Sequence, residues 1–162
     1  MAADPTIYEQ ILAAVPQRPP FRFIDEILEL DEEHILGAYR FRPDEYFYAG
    51  HFPGRPITPG VILIETMAQA GVVAFGLYLG TLQWGITLAE MSKMLTLFTN
   101  ADNVEFNGIV QPGERVLVRG EKLYLRRRII RAKTRMTRES GEEVSTAVLT
   151  GVIASAAAIA AH

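Results

Sequence analysis

The chain has 162 residues, no cysteine and a formal charge of −3. That length suits one domain over residues 1–162, able to bury its core without covalent staples, and the missing thiols exclude disulfides, thiolate metal sites and a cysteine nucleophile. Hydrophobic residues make up 49% and charged residues 22%, so the composition is globular, and the slightly negative balance gives no general pull towards nucleic acid.

The opening stretch MAADPTIYEQ lacks the basic-then-apolar layout of a signal peptide, and a cytoplasmic protein is expected. Asp4-Pro5 reads as a helix N-cap followed by proline at the first helical position. Ile7, Ile11, Leu12 and Val15 share one helical face, which ends near Pro16. PQRPPF is a rigid, extended loop. RFIDEILEL and HILGAYRF flank DEE (31–33), which reads as a hairpin turn. Residues 43–59 carry Pro43, Pro53, Pro56 and Pro59 and fit neither a helix nor a central strand.

From Val61 to about Tyr78 apolar residues occupy every face, which implies a helix buried all round, ending near Gly76 and Gly80. A membrane-spanning reading of this run meets the cost of centring Glu65 in a bilayer, roughly 2.5 kcal/mol or more, with no basic flank, so a helix wrapped by a sheet and no membrane span is expected. KMLTLFT, NVEFNGIV, RVLVRGEKLYL, RRRIIRAKTRMT and EVSTAVLTGVIA are strand candidates, with turns at QPG (111–113) and ESGE (139–142). The tail SAAAIAAH finishes the last strand or frays. The outline is α+β: one long buried helix against an antiparallel sheet of roughly five or six strands.

Within this outline one acid stands in core-like surroundings. Glu65 is the only Asp, Glu, Lys, Arg or His between Arg55 and Glu90. It is either a partly exposed glutamate near a helix start, favoured by the dipole, or an acid facing a pocket, where desolvation raises its pKa and fits it to give up a proton. Of three histidines, His34 in the hairpin and His162 at the end are expected in solvent. His51 lies in the Pro/Gly-rich loop just before the buried helix, where a fixed backbone suits a preorganised site. The helix start also offers the N–H groups of Gly60 and Val61, which have no intrahelical partner and can receive a developing oxyanion.

The segment His51 to Gln69, HFPGRPITPGVILIETMAQ, resembles without a gap the active-site motif of hot-dog-fold 3-hydroxyacyl-[acyl-carrier-protein] dehydratases. VPQRPPFRFIDEILEL and FNGIVQPGERV are similar to flanking parts of that family, so the resemblance spans roughly residues 7–155. It implies a long central helix wrapped by an antiparallel sheet. It implies His51 as the base at C2 of a 3-hydroxyacyl thioester and Glu65 as the acid for the C3 hydroxyl. The Gly60 N–H would hold the thioester carbonyl, with Val61 behind it; Phe52 and Pro53 would shape the loop; and Gln69, one turn after Glu65, would reach its side chain. It further implies a homodimer or an assembly of dimers, His51 of one chain meeting Glu65 of the other, with no cofactor or metal beyond the substrate's own phosphopantetheine on acyl carrier protein. Glu65 matches the non-isomerising branch. FNG (106–108) is more similar to the isomerising one, and Gln17 stands where the family has His. A thioesterase on the same fold would use Glu65 to activate water and would not need His51; a non-catalytic subunit of a heterodimer would need neither residue.

Residues 122–138 hold eight of the sixteen Lys and Arg residues. Arg131, Lys133 and Arg135 alternate along one strand face and read as solvated. Arg126, Arg127 and Arg128, at a strand end, read as a docking patch for the acidic carrier protein. Nucleic acid is not expected, because no aromatic residues interleave as stacking platforms. Phe75, Leu79 and Trp84 are candidate walls of an acyl tunnel.

Overall fold

The computed structural model describes residues 1–161; His162, expected in solvent, lies outside the described residues. Helix α1 is Thr6–Ala14. The Asp4 carboxylate accepts the Thr6 N–H at 2.9 Å and Pro5 already has helical angles, so the start expected at Asp4-Pro5 forms. Strands β1 (Glu26–Leu30) and β2 (His34–Arg40) make the expected antiparallel hairpin. Asp31 turns it, its Oδ1 accepting the N–H groups of Glu33 and His34, both at 2.7 Å.

Helix α2 runs over Gly60–Trp84; its most apolar 18 residues have mean hydropathy 1.7, and 78% of them are buried. Its ends are α-helical and its middle, Gln69–Ala74, winds as a π-helix. The burial comes from the sheet that wraps it. Helix and sheet touch backbone to backbone: a Cβ on Gly120 would lie 2.9 Å from the Gly71 Cα. α2 is longer than the sequence suggests. Gly76 and Gly80 do not end it, because they are buried where neighbours press close; a Cβ on Gly80 would lie 2.5 Å from Met91 Cε. The helix stops at Gly85, which takes φ 61 and caps Thr81 O. A short helix, α3 (Leu88–Met91), follows behind a Thr87–Glu90 capping box.

Strands β3 (Met94–Phe106), β4 (Arg115–Arg126), β5 (Ile129–Arg138) and β6 (Glu143–Ser155) complete one antiparallel sheet in the order β1-β2-β4-β5-β6-β3. Two of its features correct the sequence reading. KMLTLFT and the start of NVEFNGIV are one strand, β3, which ends at Phe106, so 107–110 are not strand; Asn103, at φ 50, sits in a register irregularity of its ladder with β6 rather than in a turn between strands. RRRIIRAKTRMT is not all strand. Arg127 and Arg128, at φ 50 and 64, form the two-residue turn joining β4 to β5, a conformation normally given to Asn or Gly. The tail neither extends β6 nor frays at once: Ser155 caps a helical turn, α4 (Ala156–Ala160).

Candidate active site

The loop before α2 is pinned at both ends. Phe41 and the β4 approach exchange backbone bonds (Phe41 N–H to Glu114 O, 2.9 Å; Gly113 N–H to Phe41 O, 2.7 Å). Near its far end Thr58 donates its N–H to Val110 O at 3.0 Å, and its hydroxyl meets the Tyr48 hydroxyl at 2.6 Å in a buried pair. Between these anchors, His51 donates its N–H to Phe47 O and accepts from the Ile57 N–H. Its ring Nδ1 lies 2.8 Å from Ile57 O. A carbonyl only accepts, so Nδ1 carries a proton, and in the neutral ring Nε2 then holds the free lone pair, the tautomer a general base needs. Phe52 stacks on the imidazole (centroids 4.1 Å apart) and is itself exposed. Pro53 beside it is exposed as well.

Glu65 lies one and a half turns into α2. Its Oε1 accepts from Gln69 Nε2 at 2.9 Å. Gln69 is fully buried and makes two more bonds: its Oε1 accepts the Phe23 N–H (2.6 Å) and its Nε2 donates to Phe21 O (3.0 Å). The expected contact with Glu65 is therefore present. What sequence spacing missed is that the same amide ties the acid to the loop carrying Phe21 and Phe23. Burial pushes the Glu65 carboxyl above the usual carboxylate range, and the Gln69 bond pulls it part of the way back.

At the helix start, Pro59 O accepts from Ile62 and Leu63, while the N–H groups of Gly60 and Val61 have no partner among the described residues. Phe106 of β3 lays its ring against Gly60, where a Cβ would meet Cζ at 3.0 Å. The missing side chain lets an aromatic wall close on the helix end. The FNG segment supplies that wall, and nothing in its sequence announces the contact.

His51 and Glu65 do not meet within one chain. They share no hydrogen bond, and the cleft beside Glu65, about 20 Å³, is lined by residues including Gln17, Val72, Thr96 and Phe98 but not by His51. Phe98 belongs to β3, one of the sheet's two edge strands, whose Leu97, Phe98 and Phe106 are exposed. Arg126, Arg127 and Arg128 are exposed and in no ion pair among the described residues. Arg126 lies over the Tyr124 ring at 4.8 Å and Arg128 over that of Trp84 at 5.7 Å, so this hairpin sits at the end of α2 opposite Gly60. Arg131 and Arg135, on the face read as solvated, pair with Asp102 (2.6 Å) and Glu143 (2.8 Å). Of the tunnel candidates, Phe75 and Leu79 are both core, and Leu79 also borders a groove with Leu82, Tyr124 and Leu125.

A family model described as the FabA-like domain matches residues 15–147. The chain belongs to the FabA-like family. Among its relatives, the 3-hydroxyacyl-[acyl-carrier-protein] dehydratase FabZ of Thermus thermophilus is 35% identical over 144 residues, covering 89% of this chain and 94% of the relative. That of Chloroflexus aggregans is 33% identical over 130 residues, covering 80% and 83%. A chain of the dehydratase heterocomplex ApeI:P from Xenorhabdus doucetiae superposes with TM-score 0.75 at 12% identity, covering 93% of this chain and 95% of that one. A variant thioesterase of Pseudomonas aeruginosa superposes with TM-score 0.61 at 14% identity, covering 91% and 94%. The six-stranded antiparallel sheet around one long helix is the hot-dog fold, as this family's sequence implied.

Proposed function

We propose that the protein is a 3-hydroxyacyl-[acyl-carrier-protein] dehydratase, converting (3R)-hydroxyacyl thioesters to trans-2-enoyl thioesters. Two observations on one chain carry this together: a histidine whose Nδ1–H is held by Ile57 O, and an acid whose burial favours its protonated form. His51 Nε2 takes the proton from C2, and the electrons move towards the thioester carbonyl, whose oxygen the Gly60 N–H receives. The C3–O bond breaks as Glu65 gives its proton to the leaving hydroxyl, and water departs. Proton return from the imidazolium to the carboxylate resets the pair. Side chains and backbone supply every step, so no metal or cofactor is called for. A thioesterase would have no use for the ordered His51.

In this reading the working unit is a homodimer. The unpaired β3 edge, thirteen residues long with Leu97, Phe98 and Phe106 exposed, offers an antiparallel ladder to a second copy. Phe98 also borders the Glu65 cleft, so a second copy on that edge comes next to the acid. Carrier protein docks on the unpaired Arg126, Arg127 and Arg128. Because that hairpin is about 36 Å along α2 from the same chain's Gly60, docking there feeds a site built with the second copy. The location is cytoplasmic, with other acyl-carrier enzymes.

The test uses His51→Ala and Glu65→Gln. Each lowers dehydration of a 3-hydroxyacyl carrier-protein substrate roughly 100-fold or more, the scale for losing an acid–base group. Co-expressing the two variants makes mixed dimers with one intact His51–Glu65 pair, which regain activity only if the site is shared. Single variants within about threefold of wild type would refute the roles, and mixed dimers as inactive as the parents would refute the sharing.

A further inference from the structure

One side chain beside the acid is explained by neither the base nor the carbonyl site. Gln17 lies in the loop after α1, held where the Arg18 guanidinium bonds back to the carbonyls of Gln17 (3.1 Å) and Ala13 (3.0 Å). Its side-chain Oε1 is buried and receives no hydrogen bond from any described residue. Gln17 lines the same 20 Å³ cleft as Glu65, a space of about one water molecule, too small for an acyl chain. Glu65 for its part has Oε1 on Gln69 and no described partner for Oε2.

A buried acceptor without a donor is costly. An ionised carboxylate cannot relieve it, since it too only accepts; a protonated carboxyl can, through its O–H. We propose that Gln17 is a positioning residue for the acid, its Oε1 accepting the O–H of protonated Glu65 and so holding the proton on Oε2 until the leaving hydroxyl takes it. The proposal rests on the dehydratase reading for its catalytic meaning. Two amides then divide the work. Gln69 donates and favours the charged carboxylate; Gln17 accepts and favours the neutral acid. Once the proton has gone, Gln17 Oε1 and the carboxylate face each other acceptor to acceptor, which favours reloading.

Among the described residues no charged group lines the cleft beside Glu65. The other residues lining the cleft are Ala68, Val72, Val73, Thr96 and Phe98, none titratable. The causes of the upward shift at Glu65 are burial, opposed by Gln69, without a charged neighbour. In the dimer the facing titratable group is His51 of the second copy.

The experiment is a carbon-13 NMR titration of full-length protein labelled at glutamate side-chain carboxyls, the Glu65 signal being identified by its loss in Glu65→Gln. Wild type is compared with Gln17→Met and Gln17→Leu, two apolar replacements in case one disturbs the loop. With the acceptor gone, the Glu65 pKa falls by roughly 0.5 to 1 unit. The alkaline limb of kcat for dehydration, which tracks the protonated acid, moves down with it. If Gln17 only packs, or points its NH2 at Glu65, an apolar side chain leaves the pKa unchanged or raises it; either result overturns the proposal. The titration needs no turnover. A wild-type protein that fails to dehydrate the thioester would sink the dehydratase reading, while the NMR result would still decide the Gln17–Glu65 hydrogen bond.

Discussion

Replacing Gln69 with leucine removes the amide that joins the acid to the loop in front of it. The side chain is fully buried and makes three bonds, so the cost can be followed group by group. Phe23 is 1% exposed, and its N–H would be left without a partner, at about 1–3 kcal/mol. Phe21 is 42% exposed, so its carbonyl can turn to water and adds little. Leucine nearly matches the lost volume, leaves no large cavity and recovers part of the loss through apolar burial. The expected net loss is about 1–2 kcal/mol, or about 2–8 °C in Tm for a chain of this size. Urea denaturation at pH 7 measures it as a lower midpoint with an unchanged slope. The same substitution removes the one donor to Glu65, so its pKa climbs further. A loss under about 0.5 kcal/mol, or a Glu65 pKa that falls, would refute the reasoning.

Two further outcomes are expected. Glu65→Gln should trade activity for stability: a carboxyl raised in the folded state stabilises fully below its unfolded pKa of roughly 4.3 and progressively less as pH rises through the folded value. The stability of the variant relative to wild type therefore grows from about pH 4 upwards and levels off once Glu65 is ionised; a difference that is flat or shrinking over that range, by urea denaturation, would contradict the buried acid. Changing Arg126, Arg127 and Arg128 together to Glu should raise KM for carrier-protein substrate by roughly tenfold or more, the scale of reversing charges at an electrostatic docking site. It should spare a small thioester such as an N-acetylcysteamine analogue, and equal loss on both substrates would remove the docking role.

The parts of this protein written in local chemistry are legible along the chain. Asp4-Pro5 and the Asp31 turn form as read, because capping and turn bonds span only a few residues. The apolar run after Pro59 carried the buried helix, and HFPG…PGV…E…AQ carried the family and the two candidate site residues, His51 and Glu65. Helix spacing also put Gln69 within reach of Glu65.

Whatever depends on a distant neighbour had to wait for the folded chain. Glycines inside α2 look like helix ends in sequence. Gly80, read as such an end, is in fact a point of close approach to Met91, as Gly71 is to Thr134, and no local signal announces either contact. The Arg127-Arg128 turn has no turn residues, because the ladder between β4 and β5 fixes it from outside. The site shows the same division. Residue types named His51 and Glu65, but only the folded chain assigns the imidazole proton through Ile57 O, pulls Phe23 onto Gln69 and leaves Gln17 Oε1 without a donor beside the acid. A pKa and a tautomer are set by what surrounds a group in space, and a sequence orders those surroundings only along the chain.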